Sequence, residues 1–143
     1  VKVMNLQIDD CIFCKIIGGK LSSKKIYEDD YSLAFLDIYP TSKGHCLVIP
    51  KNHYATILEI PEFELAKLIR SVQKIGAASM KALRADGFNV LQNNKPAAGQ
   101  VVNHLHFHII PRFSGDGLKI SAASRKAEEH ELAEWESALK GHL

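Results

Sequence analysis

The sequence predicts an α+β fold: an antiparallel sheet of about five strands, one long central helix and a C-terminal helix. Three observations predict it. Short apolar runs of strand length are bounded by turn residues and follow one another like hairpins. One long stretch after Pro61 carries apolar residues at helical spacing. The last part of the chain is again helix-like and closes on a glycine. With 143 residues, one domain spanning 1–143 is expected, of a size that buries roughly 70% of its unfolded surface and needs no disulfide.

Residues 1–10 read as a loose arm and residues 12–17 (IFCKII) as one or two helical turns. Lys25–Glu28 and Ser32–Asp37 read as a hairpin around Glu28, Asp29 and Asp30. Leu33 and Phe35 alternate with Ala34 and Leu36, so both faces of that strand are apolar and it is expected to be buried. Residues 45–50 (HCLVIP) form another strand, stopped at Pro50. Pro61 opens a helix over roughly 62–84. Leu65, Leu68, Val72, Ile75 and Ala82 share its apolar stripe, and Lys67, Arg70, Lys74 and Lys81 fall away from it. Asp86 and Gly87 break the chain before a strand at Phe88–Leu91, and a polar loop runs from Gln92 to Val102. A further strand spans about His104 to Pro111. The tail, 121–143, carries a helix from about Ser124, a plausible N-cap, to Lys140, with Gly141 as its stop.

The bulk numbers exclude several classes. Apolar content is 46%, charged content 24% and net charge +2, which gives no reason to expect a nucleic-acid partner. Lys20, Lys24 and Lys25 read as a solvated loop. No run approaches the roughly 18 apolar residues of a membrane span, and the N-terminal residues lack the apolar core of a signal peptide. A cytoplasmic location is expected. Three cysteines, two of them three apart, then suggest metal or redox use rather than a disulfide framework.

The segment His104-Leu105-His106-Phe107-His108-Ile109-Ile110 is the sharpest signal. A strand turns alternate side chains to opposite faces, so three imidazoles share one face and Leu105, Phe107 and Ile109 the other. On a regular strand the outer pair would lie about 13 Å apart. Zinc–nitrogen bonds of about 2.0–2.1 Å cannot bridge that span. A row aimed at a phosphate group fits better, because neutral imidazole is a good nucleophile near pH 7 and leaves readily from phosphorus.

HLHFHII resembles the signature of the histidine triad (HIT) family, and IFCKII, YEDDYSLAFLDIYP, GHCLVIPKNH and VLQNNKPAAGQVVNHLHFHIIPR follow in the family's order over most of residues 11–113. The resemblance implies a HIT-like fold, a homodimer, and an enzyme that releases a nucleoside monophosphate such as AMP from a purine nucleotide. It implies that His106 attacks the α-phosphorus and forms a nucleotidyl-histidine intermediate. His108 would contact the phosphate and assist proton transfer. Asn93, Gln100 and the backbone at Val101 would bind phosphate, Asp37 would bind ribose, and Ile12, Phe13, Ile16, Phe35 and Ile38 would sandwich the base. Val101 departs from the family's frequent Ser or Thr and loses one hydroxyl donor.

Cys11 and Cys14 form a C-x-x-C pair. A redox pair normally follows a strand, and none precedes Cys11; a closed zinc site and a free thiol pair both stay open. HIT branches with this pair bind structural zinc through both cysteines, a histidine after the V-I-P-K strand and the first triad histidine, here His53 and His104. His45 reads as structural, Cys46 as a small buried hydrophobe, and His130 and His142 as solvated. Against the hydrolase or transferase stand a zinc-dependent phosphoesterase and a nucleotide-binding adaptor without catalysis.

Overall fold

The computed structural model describes residues 7–120 and 126–142. Along the chain run α1 (Ile12–Ile17), β1 (Lys25–Glu28), β2 (Ser32–Leu36), β3 (Cys46–Pro50), α2 (Glu62–Ala82), β4 (Gly87–Gln92), β5 (Phe107–Arg112) and α3 (Glu129–Lys140). The strands form one sheet in the order β1-β2-β3-β5-β4, and every pairing is antiparallel. The α+β expectation therefore holds.

Asp29 makes the first hairpin close. One carboxylate oxygen accepts from the backbone N–H groups of Tyr31 and Ser32 at 2.8 Å each, and the other from the Tyr27 hydroxyl at 2.8 Å. Such local side-chain bonds are why Asp sits well in turns. The strands that follow split their side chains between two cores. Ala34, Val48, Phe107 and Ile109 meet Leu68, Val72 and Ile75 of α2 on one face. Leu33, Phe35, Leu47 and Ile49 meet Phe13, Cys14 and Ile16 of α1 on the other. β3 is buried along its whole length, as an apolar run covered on both faces must be. Leu68 is 1% exposed, and Leu68→Ala is expected to cost about 2–5 kcal/mol.

Pro61, in extended backbone at φ −61°, caps the start of α2. Buried Glu64 in its first turn accepts from Asn52 Nδ2 and Tyr54 Oη, which ties the helix to the segment after β3. The buried stripe keeps Leu68, Val72 and Ile75 but ends at Ser79. Ala82, expected on it, is exposed, because the chain leaves the helix there and reverses through Arg84 at φ +53°. Gly76 lets the helix lie against the Phe88 ring on β4, where a Cβ would collide.

Three expectations change. The last strand begins at Phe107, not His104, because ladder pairing with both β3 and β4 starts there. The arm is not loose at its inner end: Cys11 N–H donates to Ile8 O at 3.3 Å, and Ile8 N–H to Cys14 Sγ at 3.4 Å. The tail helix starts at Glu129, where the Glu131 carboxylate reaches back to the Glu128 N–H at 2.9 Å, half of a capping box. Ser124 lies outside the described residues, as does residues 1–6 of the arm.

Candidate active site and metal centre

The alternation of the triad segment survives although its first half is not ladder-paired. Leu105, Phe107 and Ile109 join the α2 core. His104, His106 and His108 turn to the α1 face, where the Phe13 ring edge meets His104 at 5.8 Å and His106 at 5.3 Å between centroids. His106 and His108 meet edge to face in turn, 5.0 Å between centroids.

His104 is fully buried and belongs to a separate cluster. Its Nδ1 lies 3.3 Å from Cys11 Sγ, 3.6 Å from Cys14 Sγ and 3.1 Å from His53 Nδ1, and His53 Nδ1 lies 3.4 Å from Cys14 Sγ. Zinc bonds of about 2.0–2.1 Å to nitrogen and 2.3 Å to sulfur give tetrahedral edges of roughly 3.3 Å (N–N) and 3.6 Å (N–S). The four atoms already stand close to those edges. The orientation is right as well. His104 Nε2–H donates to Pro50 O at 3.0 Å, which leaves Nδ1 with its lone pair toward the sulfurs. Burial pushes the Cys14 thiol up to about 11, so a cation at the centre is what would draw off its proton. The first turn of α1 delivers both sulfurs: Cys11 caps it, its Sγ accepting from Cys14 N–H at 3.4 Å. Such an ion would supply no chemistry to a substrate; four protein ligands close its coordination.

Backbone groups also fix the remaining imidazoles. His106 Nδ1–H donates to His104 O at 2.7 Å, so the Nε2 lone pair is free. Thr41 N–H donates to His45 Nδ1 at 2.9 Å, so His45 carries its proton on Nε2. That proton goes to His108 Nδ1 at 3.0 Å, which leaves His108 with a donor at Nε2. Burial lowers His45 and His106 from the ordinary histidine value. Burial first, then the neighbouring His106 and His45, push His108 down to about 4. Neutral rings near pH 7 follow, His106 with a free Nε2 lone pair and His108 with an Nε2–H.

His45 joins this cluster, which its sequence does not reveal. Nothing in its local sequence pairs it with position 108; that pairing comes from the β3–β5 register, which sets Leu47 opposite His108. Gly44, at φ +80° and pressed against Leu83, turns the chain so that His45 faces inward.

The surrounding residues are only partly as expected. Phe13, Ile16 and Phe35 are core residues, whereas Ile12 and Ile38 are 47% and 79% exposed. Asp37 follows β2, accepts from Tyr39 N–H at 2.8 Å and lies 3.6 Å from His45 Nε2. The Gln100 side chain does not reach outward as a phosphate donor would. Its Oε1 accepts from Lys95 N–H at 2.7 Å, and its Nε2 donates to Ala55 O and Val102 O. It buckles the loop instead. Asn93 lies beside Gly99, and Val101 is 93% exposed.

This sheet, with its buried histidine row and Cys/His cluster, defines a class, and the comparisons name it. The HIT domain family model matches residues 19–115. An adenylylsulfatase of Arabidopsis thaliana is 44% identical over 94% of this chain and 70% of its own length. An adenosine 5'-monophosphoramidase of Schizosaccharomyces pombe is 50% identical over 71% of this chain and 74% of its own. A zinc-bound histidine triad protein of Mycobacterium smegmatis superposes with a TM-score of 0.75 at 37% identity, covering 90% of this chain and 97% of that one. The chain belongs to the HIT family.

Proposed function

We propose that the protein is a nucleotidyl hydrolase that cleaves a purine nucleotide at the α-phosphorus and releases AMP. One observation carries the reading: His106, buried and neutral, has its Nδ1 proton held by His104 O and its Nε2 lone pair free beside the His108 donor. Nε2 attacks the α-phosphorus, and the bond to the leaving group breaks as that group takes a proton. His108 Nε2–H stabilises the phosphoryl oxygens and assists that transfer. Water then attacks the nucleotidyl-histidine, returning His106 and releasing AMP and a proton. Ile12 and Ile38, apolar yet exposed, clamp the base over the Phe13–Phe35 pair, and Asp37 accepts from the ribose hydroxyls. Asn93 and the backbone around Val101 contact the phosphate.

The monophosphoramidase and adenylylsulfatase relatives support amine and sulfate leaving groups on adenylate. Zinc is the proposed ion among Cys11, Cys14, His53 and His104; it holds α1 and the arm against the catalytic segment. A homodimer is the proposed working unit. β4 is a sheet edge exposing Phe88 and Val90, and the neighbouring flank of α2 exposes Ile69 and Met80. The test is to quench adenosine 5'-phosphoramidate turnover in acid-free denaturant and weigh the protein. An AMP adduct on wild type, absent from His106→Ala, is expected. Turnover with no adduct under rapid quench, or an adduct on the variant, overturns the reading.

A further inference from the structure

The two flanks of α2 differ. Toward β4 the helix exposes apolar Ile69 and Met80; toward β1 it exposes Lys67, Arg70 and Lys74, at i, i+3 and i+7 on one flank. These three cations line a cavity of about 140 Å³ whose other walls are Tyr27, Asp29 and Ser71. The cavity lies on the α2 face of the sheet, opposite the face to which His106 and His108 turn. It is therefore not part of the catalytic groove.

We propose that this cavity is a binding site for a phosphate-class oxyanion. None of the cations is neutralised, and the two lysines are held in place. Lys67 Nζ stands 5.7 Å from the Tyr31 ring centroid and Lys74 Nζ 4.9 Å from that of Tyr27, both within cation–π range. No carboxylate of the described residues lies within ion-pair distance of any of the three. Asp29, the one acid in the wall, is already spoken for: Tyr27 Oη, Tyr31 N, Ser32 N and Ser71 Oγ all donate to it. Burial works against its ionisation, but those bonds outweigh burial and keep it a carboxylate. The local sum is three cations against one anion, so the cavity favours a ligand of net negative charge. A cation, or a neutral apolar group, would leave that excess uncompensated. Arg70 adds a planar fork that matches two oxygens of one phosphoryl group. Beneath the cations, Ser71 Oγ and Ser32 Oγ share a hydrogen bond at 2.8 Å, which makes the floor fixed and polar. The volume is many times what one water needs and suits a small tetrahedral anion.

The anion can be free phosphate or the phosphoryl group of a nucleotide. The experiment is a two-dimensional NMR titration of the full chain with the catalytic groove first saturated with AMP. Inorganic phosphate is then added at constant ionic strength, with further AMP as a second arm. Saturable shifts at Tyr27, Lys67, Arg70 and Lys74 are expected, at least tenfold weaker in apparent affinity for the triple variant K67Q/R70Q/K74Q. These exposed positions leave the fold and AMP release unchanged. Saturation by phosphate assigns the free ion; saturation by AMP alone assigns a phosphoryl group. Shifts that rise linearly, that chloride reproduces, or that persist in the triple variant overturn the site.

Discussion

Two histidine clusters flank the Leu105 backbone, and they use the same side chain for opposite ends. In the first, a carbonyl, Pro50 O, takes the His104 Nε2 proton, so the other nitrogen offers a lone pair to two sulfurs and a second imidazole. In the second, an amide, Thr41 N–H, occupies the His45 lone pair, so the other nitrogen offers a proton to His108. Asp37, His45 and His108 also bring three metal-competent atoms within 4.8 Å of one another. The Thr41 amide makes that group a poor metal site, because binding through His45 Nε2 would leave two N–H groups facing each other. The direction of one backbone hydrogen bond thus decides whether an imidazole presents a lone pair or an N–H.

The comparison breaks most directly at His106, which supplies no atom to the Cys/His cluster. His106→Ala is expected to lower kcat for AMP release by about 10³-fold or more, with a melting temperature within a few degrees of wild type. Steady-state kinetics beside a thermal melt read both. The opposite outcome, a folding defect with residual turnover, would place His106 with the structural cluster. Cys14→Ser or chelation should do the reverse. Metal content falls, and the melting temperature drops on the order of 10 °C, since binding and folding free energy are linked. His45→Ala, measured in parallel by elemental analysis, should retain full metal content; a loss there would merge the two clusters.

His45→Ala removes the group that fixes the His108 tautomer without touching the substrate. Loss of such an orienting partner typically costs about 10–100-fold, expected here in kcat with KM little changed. The pH profile sharpens the same point. His108 sits near 4, pushed there by burial and by His106 and His45. Its neutral form therefore persists as pH falls through the ordinary value near 6.5, and the acid limb of kcat is expected well below 6. The stability sign follows from the same depression. Below 6.5 the unfolded chain takes up a proton that folded His108 refuses until about 4, so its contribution is full above 6.5 and is lost as pH falls across that window. Melting temperatures of wild type and His108→Asn between pH 7.5 and 4.5 check this: the variant should lose less.

Much of this was legible in the sequence because periodicity carries it. The apolar stripe at Leu68, Val72 and Ile75 announced α2, and the alternation at 104–109 announced which imidazoles share a face. What was not legible depends on distant backbone. The ladder starting at Phe107 is set by β3 and β4, not by residues 104–106. His45 reaches His108 only through a strand register, and Gln100 turns inward because Lys95 N–H, Ala55 O and Val102 O surround it. Each depends on where the fold brings main-chain segments together, which no single-sequence pattern records.

The smallest effect tests how far the proton cluster works alone. Val101 stands on the loop before the triad, 93% exposed, where a hydroxyl would offer the leaving group a second donor. Val101→Ser adds one neutral hydrogen bond, about 0.5–1.5 kcal/mol, so kcat/KM for a phosphoramidate should rise roughly two- to tenfold. The gain should be larger in the His45→Ala background, because the new hydroxyl then replaces help that His108 no longer gives. A double-mutant cycle measures that coupling. Strict additivity would mean that His45 and His108 act on the phosphoryl oxygens rather than on the leaving group, and would move the proton cluster one bond away from where the neutral His108 donor suggests.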